Sequence, residues 1–240
     1  MADQYSFKRY EKKYFLTQTQ YHLLLEQMKL HMKEDEYGQY TICNIYYDTE
    51  DWRLIRASIE KPPYKEKLRV RSYGVPQDDG KTFVELKKKF DGIVYKRRIT
   101  LPAKDVASFL AGERPEIDAG QIGREIAWFQ RFYRSVPKVF IAYDREAFAG
   151  IEDDGMRITF DTNLRWRDTD LDLRKGDHGD LIIPADRVLM EIKSAGGYPL
   201  WLSRLLADIC AFPGSFSKYG TCYTQDLLPK EIMKGALFSA

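Results

Sequence analysis

Charged and apolar residues alternate in four short stretches of the chain. Lys67-Leu68-Arg69-Val70-Arg71 places a cation at every second position, and Val84-Glu85-Leu86-Lys87 does the same with a carboxylate in phase with a lysine. Lys96-Arg97-Arg98 keeps the period if Lys96 and Arg98 share a side, and Met190-Glu191-Ile192-Lys193 repeats the Glu-x-Lys pair far downstream. Successive side chains of a strand point to opposite faces, so each stretch predicts a β-strand with one charged and one apolar face. For one strand alone the ordinary reading is a polar face turned to water. Four such strands, mostly cationic and twice carrying Glu two residues before Lys, instead suggest a basic cavity with metal-binding carboxylates, suited to a polyanion such as a triphosphate.

The same patterning predicts the remaining elements. Ser6 to Leu16 reads as a strand, Thr17 to Gln20 as a capping box, and Leu24, Leu25 and Met28 as the apolar stripe of a helix. Thr41 to Tyr47 is a strand, followed by a polar turn around Asp48 and Asp51. Strands over Lys67–Tyr73, Thr82–Lys89 and Ile93–Leu101 are separated by turns at Pro76–Gly80 and Asp91-Gly92, an antiparallel meander. Pro102 opens a short helix ending near Gly112, and Gln121 to Arg134 predicts a longer one. Strands over Val139–Phe148, Arg157–Phe160 and Asn163–Arg167 follow, then a polar stretch from Asp168 to Asp180 that reads as a mobile loop. Val188 to Lys193 is a strand, and Pro199 starts a helix with Trp201, Leu205 and Ile209 on one side. No linker or repeat divides the chain, so residues 1–240 read as a single α+β domain. With about eight antiparallel strands, closure into a barrel would remove exposed edges.

Composition narrows the chemistry. The net charge of +2 conceals an asymmetry: Lys61 to Arg98 holds 12 lysines and arginines against five acidic residues, a local excess of +7 that leaves the rest at −5. Charge focused in this way argues against a general nucleic-acid binder, whose domain is basic overall. Cys43, Cys210 and Cys222 show no paired spacing and read as reduced thiols of a cytosolic protein. Asp3 and Gln4 stand where a signal peptide needs basic residues, and Leu200 to Phe212 is interrupted by Arg204 and Asp208 and cannot span a bilayer. A soluble cytoplasmic protein is expected, with docking to a membrane-protein partner left open. Oligomeric state is not legible.

A triphosphate carries roughly four negative charges and calls for several cations with a divalent metal. Arg offers a fork to phosphate oxygens and Lys a compact point charge. Mn²⁺ or Mg²⁺ takes one or two carboxylates and completes its shell from phosphates and water. Arg69, Arg71, Lys87, Lys96 and Arg98 meet the first need, and Glu191, Glu85 or both the second. No P-loop motif is present, and His22, His31 and His178 lack zinc spacing. Arg145, between Asp144 and Glu146, could equally form a surface pair; Arg157 could cap a hairpin; Asp161 could fix a turn before Asn163. Trp128, Phe129 and Phe132 read as packing residues of the long helix.

Eight motifs in order carry a family resemblance: Tyr10-Glu11-Lys12-Lys13-Tyr14, Leu68-Arg69-Val70-Arg71, Val84-Glu85-Leu86-Lys87, Lys96-Arg97-Arg98, Tyr143-Asp144-Arg145, Arg157 before Phe160-Asp161-Thr162, Leu189-Met190-Glu191-Ile192-Lys193, and Phe216-Ser217-Lys218-Tyr219. The chain resembles, over nearly its whole length, the polyphosphate polymerase domain of the vacuolar transporter chaperone (VTC) family, within the triphosphate tunnel metalloenzymes. The resemblance implies a closed antiparallel barrel around a basic tunnel that binds ATP and a divalent metal and extends polyphosphate. It implies phosphate ligands at Lys13, Arg69, Arg71, Lys87, Lys96, Arg98, Arg145, Arg157 and Lys218. It implies a metal ligand at Glu191, with Glu85 secondary and Lys193 holding the Glu191 carboxylate. Hydrolytic relatives carry Glu-x-Glu-x-Lys on the first strand. Here Arg9, Glu11 and Lys13 occupy that alternation, and one carboxylate fewer favours an anionic acceptor over activated water. An inorganic triphosphatase or nucleoside triphosphatase of the same fold, and a non-catalytic polyphosphate sensor, are the rival expectations.

Overall fold

The computed structural model describes residues 10–91, 93–114, 119–153 and 155–238, with side chains up to Met233. Ser6 to Arg9, the expected start of the first strand, and Gly92 of the expected Asp91-Gly92 turn lie outside the described residues. Strand β1 (Tyr10–Thr17) passes directly into helix α1 (Gln18–Met28). Thr17 makes the junction: its Oγ1 accepts from the Gln20 N–H at 3.2 Å, and Gln20 Oε1 accepts from the Thr17 N–H at 2.9 Å. This reciprocal box satisfies two otherwise unpaired donors. Thr17→Ala is expected to cost about 1 kcal/mol, measured as a lower denaturation midpoint at unchanged slope.

Strands β2 (Met32–Glu34) and β3 (Tyr40–Asp48) precede helix α2 (Arg53–Ile59). The sequence pattern shows only a polar turn here, because Trp52, the residue before α2, is left-handed with φ 62° and offers no capping side chain. The cap comes from further back. The buried Asp48 carboxylate accepts from the N–H groups of Thr49, Leu54 and Ile55 at 2.8, 2.8 and 2.9 Å. The meander follows as β4 (Tyr64–Tyr73), β5 (Lys81–Phe90) and β6 (Ile93–Pro102). Helix α3 (Val106–Ala111) ends on Gly112 at φ 77°, a conformation glycine adopts without strain, and α4 (Gly120–Tyr133) comes next. Strand β7 (Val136–Gly150) leads to β8 (Arg157–Arg167), one strand where two are predicted. Asn163, left-handed at φ 48°, interrupts its alternation. Then come β9 (Asp180–Leu181), β10 (Arg187–Ser194), α5 (Leu200–Asp208), β11 (Pro213–Gly214), α6 (Lys218–Cys222) and α7 (Leu228–Phe238).

The polar stretch from 168 to 180 is anchored rather than loose, which corrects the expected mobile loop. Arg174 bonds Asp172 and Asp78, each at 2.6 Å, Arg165 bonds Asp177 at 2.6 Å, and Arg167 donates to the His178 carbonyl at 2.8 Å.

The chain forms two compact units: residues 1–40, 143–164 and 183–216, and residues 41–142, 165–182 and 217–240. In the first the strand order is β11-β1-β10-β8-β7, with β2 on β7. Its core joins Leu24 and Met28 of α1 and Leu202 and Leu206 of α5 to Tyr14, Leu16, Ile158, Phe160, Met190 and Ile192. In the second unit the order is β7-β3-β4-β5-β6, with β9 on β8. Its core sets Ile126 and Phe129 of α4 against Leu68, Val70, Val84, Leu86, Ile99 and Leu101. The architecture is thus α+β, an antiparallel sheet with flanking helices. Among the described residues the sheet ends on β11 and β6 and is not closed, a correction to the expected closed barrel. Strand β11 is two residues long and includes Pro213, which has no N–H for a further ladder. Strand β6 carries Lys96 and Arg98, charges of the kind that discourage edge pairing. Among the described residues eight strands have eight or more residues, matching the expected number, and three short ones bring the total to eleven.

Candidate functional site

In each unit the apolar phase of the strands is taken by the core, which leaves the charged phase on the opposite face. Residues directly opposed in an antiparallel ladder share a face. In the second unit the registers align three rows. Lys67 opposes Lys87, which opposes Lys96; Tyr46 opposes Arg69, then Glu85, then Arg98; Asn44 opposes Arg71, then Phe83. These three rows therefore place six cations and one carboxylate on one face of β4, β5 and β6, as the alternation in the sequence predicts.

Glu85 is the electrostatic centre of this face. It is 1% exposed. Its Oε2 accepts from Arg69 Nε at 2.8 Å and Nη2 at 2.7 Å, while Lys96 Nζ sits 2.5 Å from Oε1. Burial pushes its pKa up, but Arg69, Arg71 and Lys96 outweigh that and hold the carboxyl at about 2, below its ordinary 4.5. A carboxylate depressed in the folded state stabilises the protein above its unfolded pKa and loses that contribution as pH falls through the folded one. Acid titration should therefore remove on the order of 2–3 kcal/mol between about pH 4.5 and pH 2. Glu85→Gln should flatten that limb in a pH series of denaturation midpoints. Lys96, in contrast, lies below the ordinary lysine range, through burial and through Arg69 and Arg71, despite Glu85. One carboxylate does not neutralise the face, and the remaining positive field suits an anion. Arg71 donates Nε to Asn44 Oδ1 at 2.8 Å, and Arg98 lies over the Phe83 ring at 4.5 Å.

Three residues of this face are not among the ligands that the sequence pattern assigns: Asn44 and Tyr46 on β3, and Lys67 on β4. The signal was present, since Asn44, Tyr46 and Asp48 alternate with the apolar Cys43, Ile45 and Tyr47. Burial pushes the Tyr46 phenol up, yet Arg69, Arg71 and Lys67 hold it below its ordinary value. Lys218 opens α6, where the Ser217 hydroxyl caps by accepting from the Gly220 N–H at 3.1 Å. The neighbouring Tyr219 stacks on Tyr46 at 4.7 Å and donates to Asp48 at 2.9 Å, fixing α6 beside the row of Arg69.

In the first unit Lys13 opposes Glu191, which opposes Thr159, and Glu11 opposes Lys193, which opposes Arg157. Lys13 Nζ lies 3.5 Å from Glu191 and 3.6 Å from Glu11, and donates to the Phe216 carbonyl at 3.0 Å. Lys193 lies 3.9 Å from both glutamates, so it does stand beside the Glu191 carboxylate. Arg145 is not a surface pair. It is half-buried, with its side chain 11% exposed, donates Nε and Nη2 to Asp161 at 2.6 and 2.7 Å, and reaches Glu191 at 3.8 Å. Asp161 is wholly buried within β8 and holds Arg145, where a turn was expected. Arg157 shares the face of Lys193 but is half-exposed and bonds Asp35 at 3.0 Å. A groove of about 470 Å³ beside Lys13 is lined by Glu11, Lys12 and residues 213–216.

A divalent metal can be tested against these donors. Among the described residues no three His, Cys, Asp or Glu side chains converge as a metal cage. Glu191 and Glu11 occupy diagonal positions on one face, with Lys13 Nζ 3.5 and 3.6 Å from them. Two hard oxygen donors without a cage fit Mn²⁺ or Mg²⁺ that draws its other ligands from phosphate and water. Glu85 does not fit, because Arg69 and Lys96 engage both of its oxygens.

No curated protein matches the chain. Among solved structures, a proposed adenylate cyclase from Bacillus halodurans superposes with a TM-score of 0.51 at 13% identity, covering 86% of this chain and 92% of that one. A second from Vibrio parahaemolyticus gives 0.49 at 14% identity, covering 91% and 98%. A proposed adenylyl cyclase from Hippeastrum, described as having a dominant triphosphatase activity, gives 0.49 at 13% identity, covering 89% and 94%. At such identities the Bacillus halodurans likeness speaks to fold alone. The VTC domain model, however, matches residues 8–225, taking in both the cationic rows and the Glu191 strand, and the chain belongs to the VTC domain family.

Proposed function

We propose that this VTC-family chain is a metal-dependent phosphotransferase that passes the terminal phosphoryl group of ATP to a growing polyphosphate chain. The observation that carries the reading is the three rows of six cations around a single ion-paired glutamate. Both the donor and the acceptor of this reaction are polyanions, and such a face lowers the electrostatic cost of bringing them together. Arg69 and Arg71 would fork onto phosphate oxygens, with Lys87, Lys96 and Arg98 as further positive charges. Lys13, Arg145, Arg157 and Lys218 are assigned to phosphate by the same reading.

A terminal oxygen of the polyphosphate attacks the γ-phosphorus and forms the new P–O bond. The bond from the γ-phosphorus to the β–γ bridging oxygen breaks, and its electron pair leaves with ADP. No protein nucleophile is needed, so catalysis rests on positioning and on charges preset for the transition state. When bound, Mn²⁺ or Mg²⁺ at Glu191 and Glu11 would neutralise phosphate charge and orient the oxygens. The small number of carboxylates supports transfer over hydrolysis, since metal-activated water is favoured by a richer acidic set.

Incubation with ATP and Mn²⁺, followed by ADP, orthophosphate and chain-length analysis, tests this. ADP matched by phosphate in lengthening chains is expected. ADP matched by orthophosphate would make the protein a triphosphatase, and tight ATP binding without turnover would make it a sensor; either result overturns the proposal.

A further inference from the structure

The apolar face of β4, β5 and β6 extends beyond the core into an exposed strip. Tyr64, Phe90, Ile93, Tyr95, Trp128 and Phe132 are each between 47% and 56% exposed. This departs from the packing role expected for Trp128 and Phe132; of the three aromatics in that run of α4, only Phe129 is buried. The strip is continuous. The Trp128 and Phe132 rings stack at 5.1 Å, Phe132 meets Tyr133 edge-on at 4.8 Å, and Tyr133 and Tyr64 both direct hydroxyls to the buried Glu66. Tyr64 contacts Phe90 at 6.5 Å, and Phe90 opposes Ile93 across the hairpin. Scattered exposed aromatics need no explanation, but a connected strip does.

Cations frame it. Lys61, Arg124, Arg131 and Arg134 are exposed, against exposed Glu60 and Asp91. Glu125, the acidic residue of α4, already faces Arg97 at 3.5 Å and Lys88 at 4.0 Å. On α4 the exposed side therefore reads Arg124, Trp128, Arg131, Phe132, an aromatic-cationic alternation that matches the layered chemistry of a bilayer surface. Tryptophan and tyrosine favour the headgroup level, and clustered cations favour anionic lipid.

We infer that this strip docks on an anionic lipid surface, with its rings in the headgroup layer and its cations against lipid phosphate and carboxylate groups. The inference does not depend on the phosphotransferase reading. Neither term is large alone, so binding should require anionic lipid and weaken with salt.

The test uses the full chain with vesicles of phosphatidylcholine alone or mixed with phosphatidylserine. Co-sedimentation only with the mixed vesicles is expected, with a blue shift of tryptophan emission that Trp128→Phe removes. Trp52 and Trp166 are buried and so are not expected to report it. Phe90→Ser with Phe132→Ser, and separately Arg124→Glu with Arg131→Glu, should each weaken binding about tenfold or more at unchanged thermal melting. Lys87→Ala with Arg98→Ala, on the opposite face, should leave it within about twofold. Equal binding to neutral vesicles, no vesicle binding, or binding that survives the strip variants would overturn the inference. So would loss confined to the Lys87/Arg98 variant, or strip variants that instead dissociate a dimer.

Discussion

Glu191→Gln is expected to lower Mn²⁺- or Mg²⁺-dependent turnover by about 100-fold or more while shifting the melting temperature by only a few degrees. The amide keeps the size of the side chain but removes the charge that holds a divalent ion. Its ion pairs to Lys13, Arg145 and Lys193 span 3.5, 3.8 and 3.9 Å, and the amide oxygen of Gln still accepts from that side. A purely structural Glu191 gives the reverse pattern, a large loss of melting temperature with normal turnover by the molecules that remain folded. Raising the metal concentration separates weakened metal binding from lost chemistry, since only the former is restored. Glu85→Gln, in which no metal role is proposed, should leave the metal dependence where it is in the parent protein.

Arg69→Ala is the second large effect, and it acts on stability and on substrate together. Removing the fork leaves a carboxylate that is 1% exposed with Lys96 as its remaining close partner. Breaking a buried pair on one side typically costs about 3–5 kcal/mol, most of it the penalty of the stranded charge. Arg69→Ala should therefore lower the denaturation midpoint strongly. The double variant Arg69→Ala/Glu85→Gln should recover most of that loss, because the charge that needed a partner is gone. Triphosphate affinity should not recover with it: the double variant is expected to bind tripolyphosphate about tenfold or more weakly than the parent, having lost one bidentate cation. Recovery of both stability and affinity would show that Arg69 serves Glu85 alone.

Much of this was legible in the sequence wherever a period of two ran through a strand. Lys67 to Arg71, Glu85 and Lys87, and Glu191 and Lys193 each fell on one face because the intervening leucines, valines and isoleucines had a core to enter. The Thr17–Gln20 box was legible because both partners lie within one helical turn. What was not legible depends on partners distant in sequence. Helix α2 is capped by Asp48, five residues before its first residue Arg53, and Tyr219 reaches that same carboxylate from the other end of the chain. Arg145 looked like one member of a surface run of charges, and only the pairing of β7 with β8 reveals the buried Asp161 that holds it. Barrel closure was inferred from strand number, but number alone does not supply the edge donors that closure requires; β11 is two residues long and Pro213 has no N–H.

The most direct measurement of the central reading is a crystal structure grown with a non-hydrolysable ATP analogue and Mn²⁺, using the anomalous signal to place the metal. Phosphate oxygens against Arg69, Arg71 and at least one of Lys87, Lys96 and Arg98, with manganese on Glu191, are expected. Phosphates bound away from this face, or manganese bound elsewhere than Glu191, would contradict the assignment of a triphosphate site to these residues.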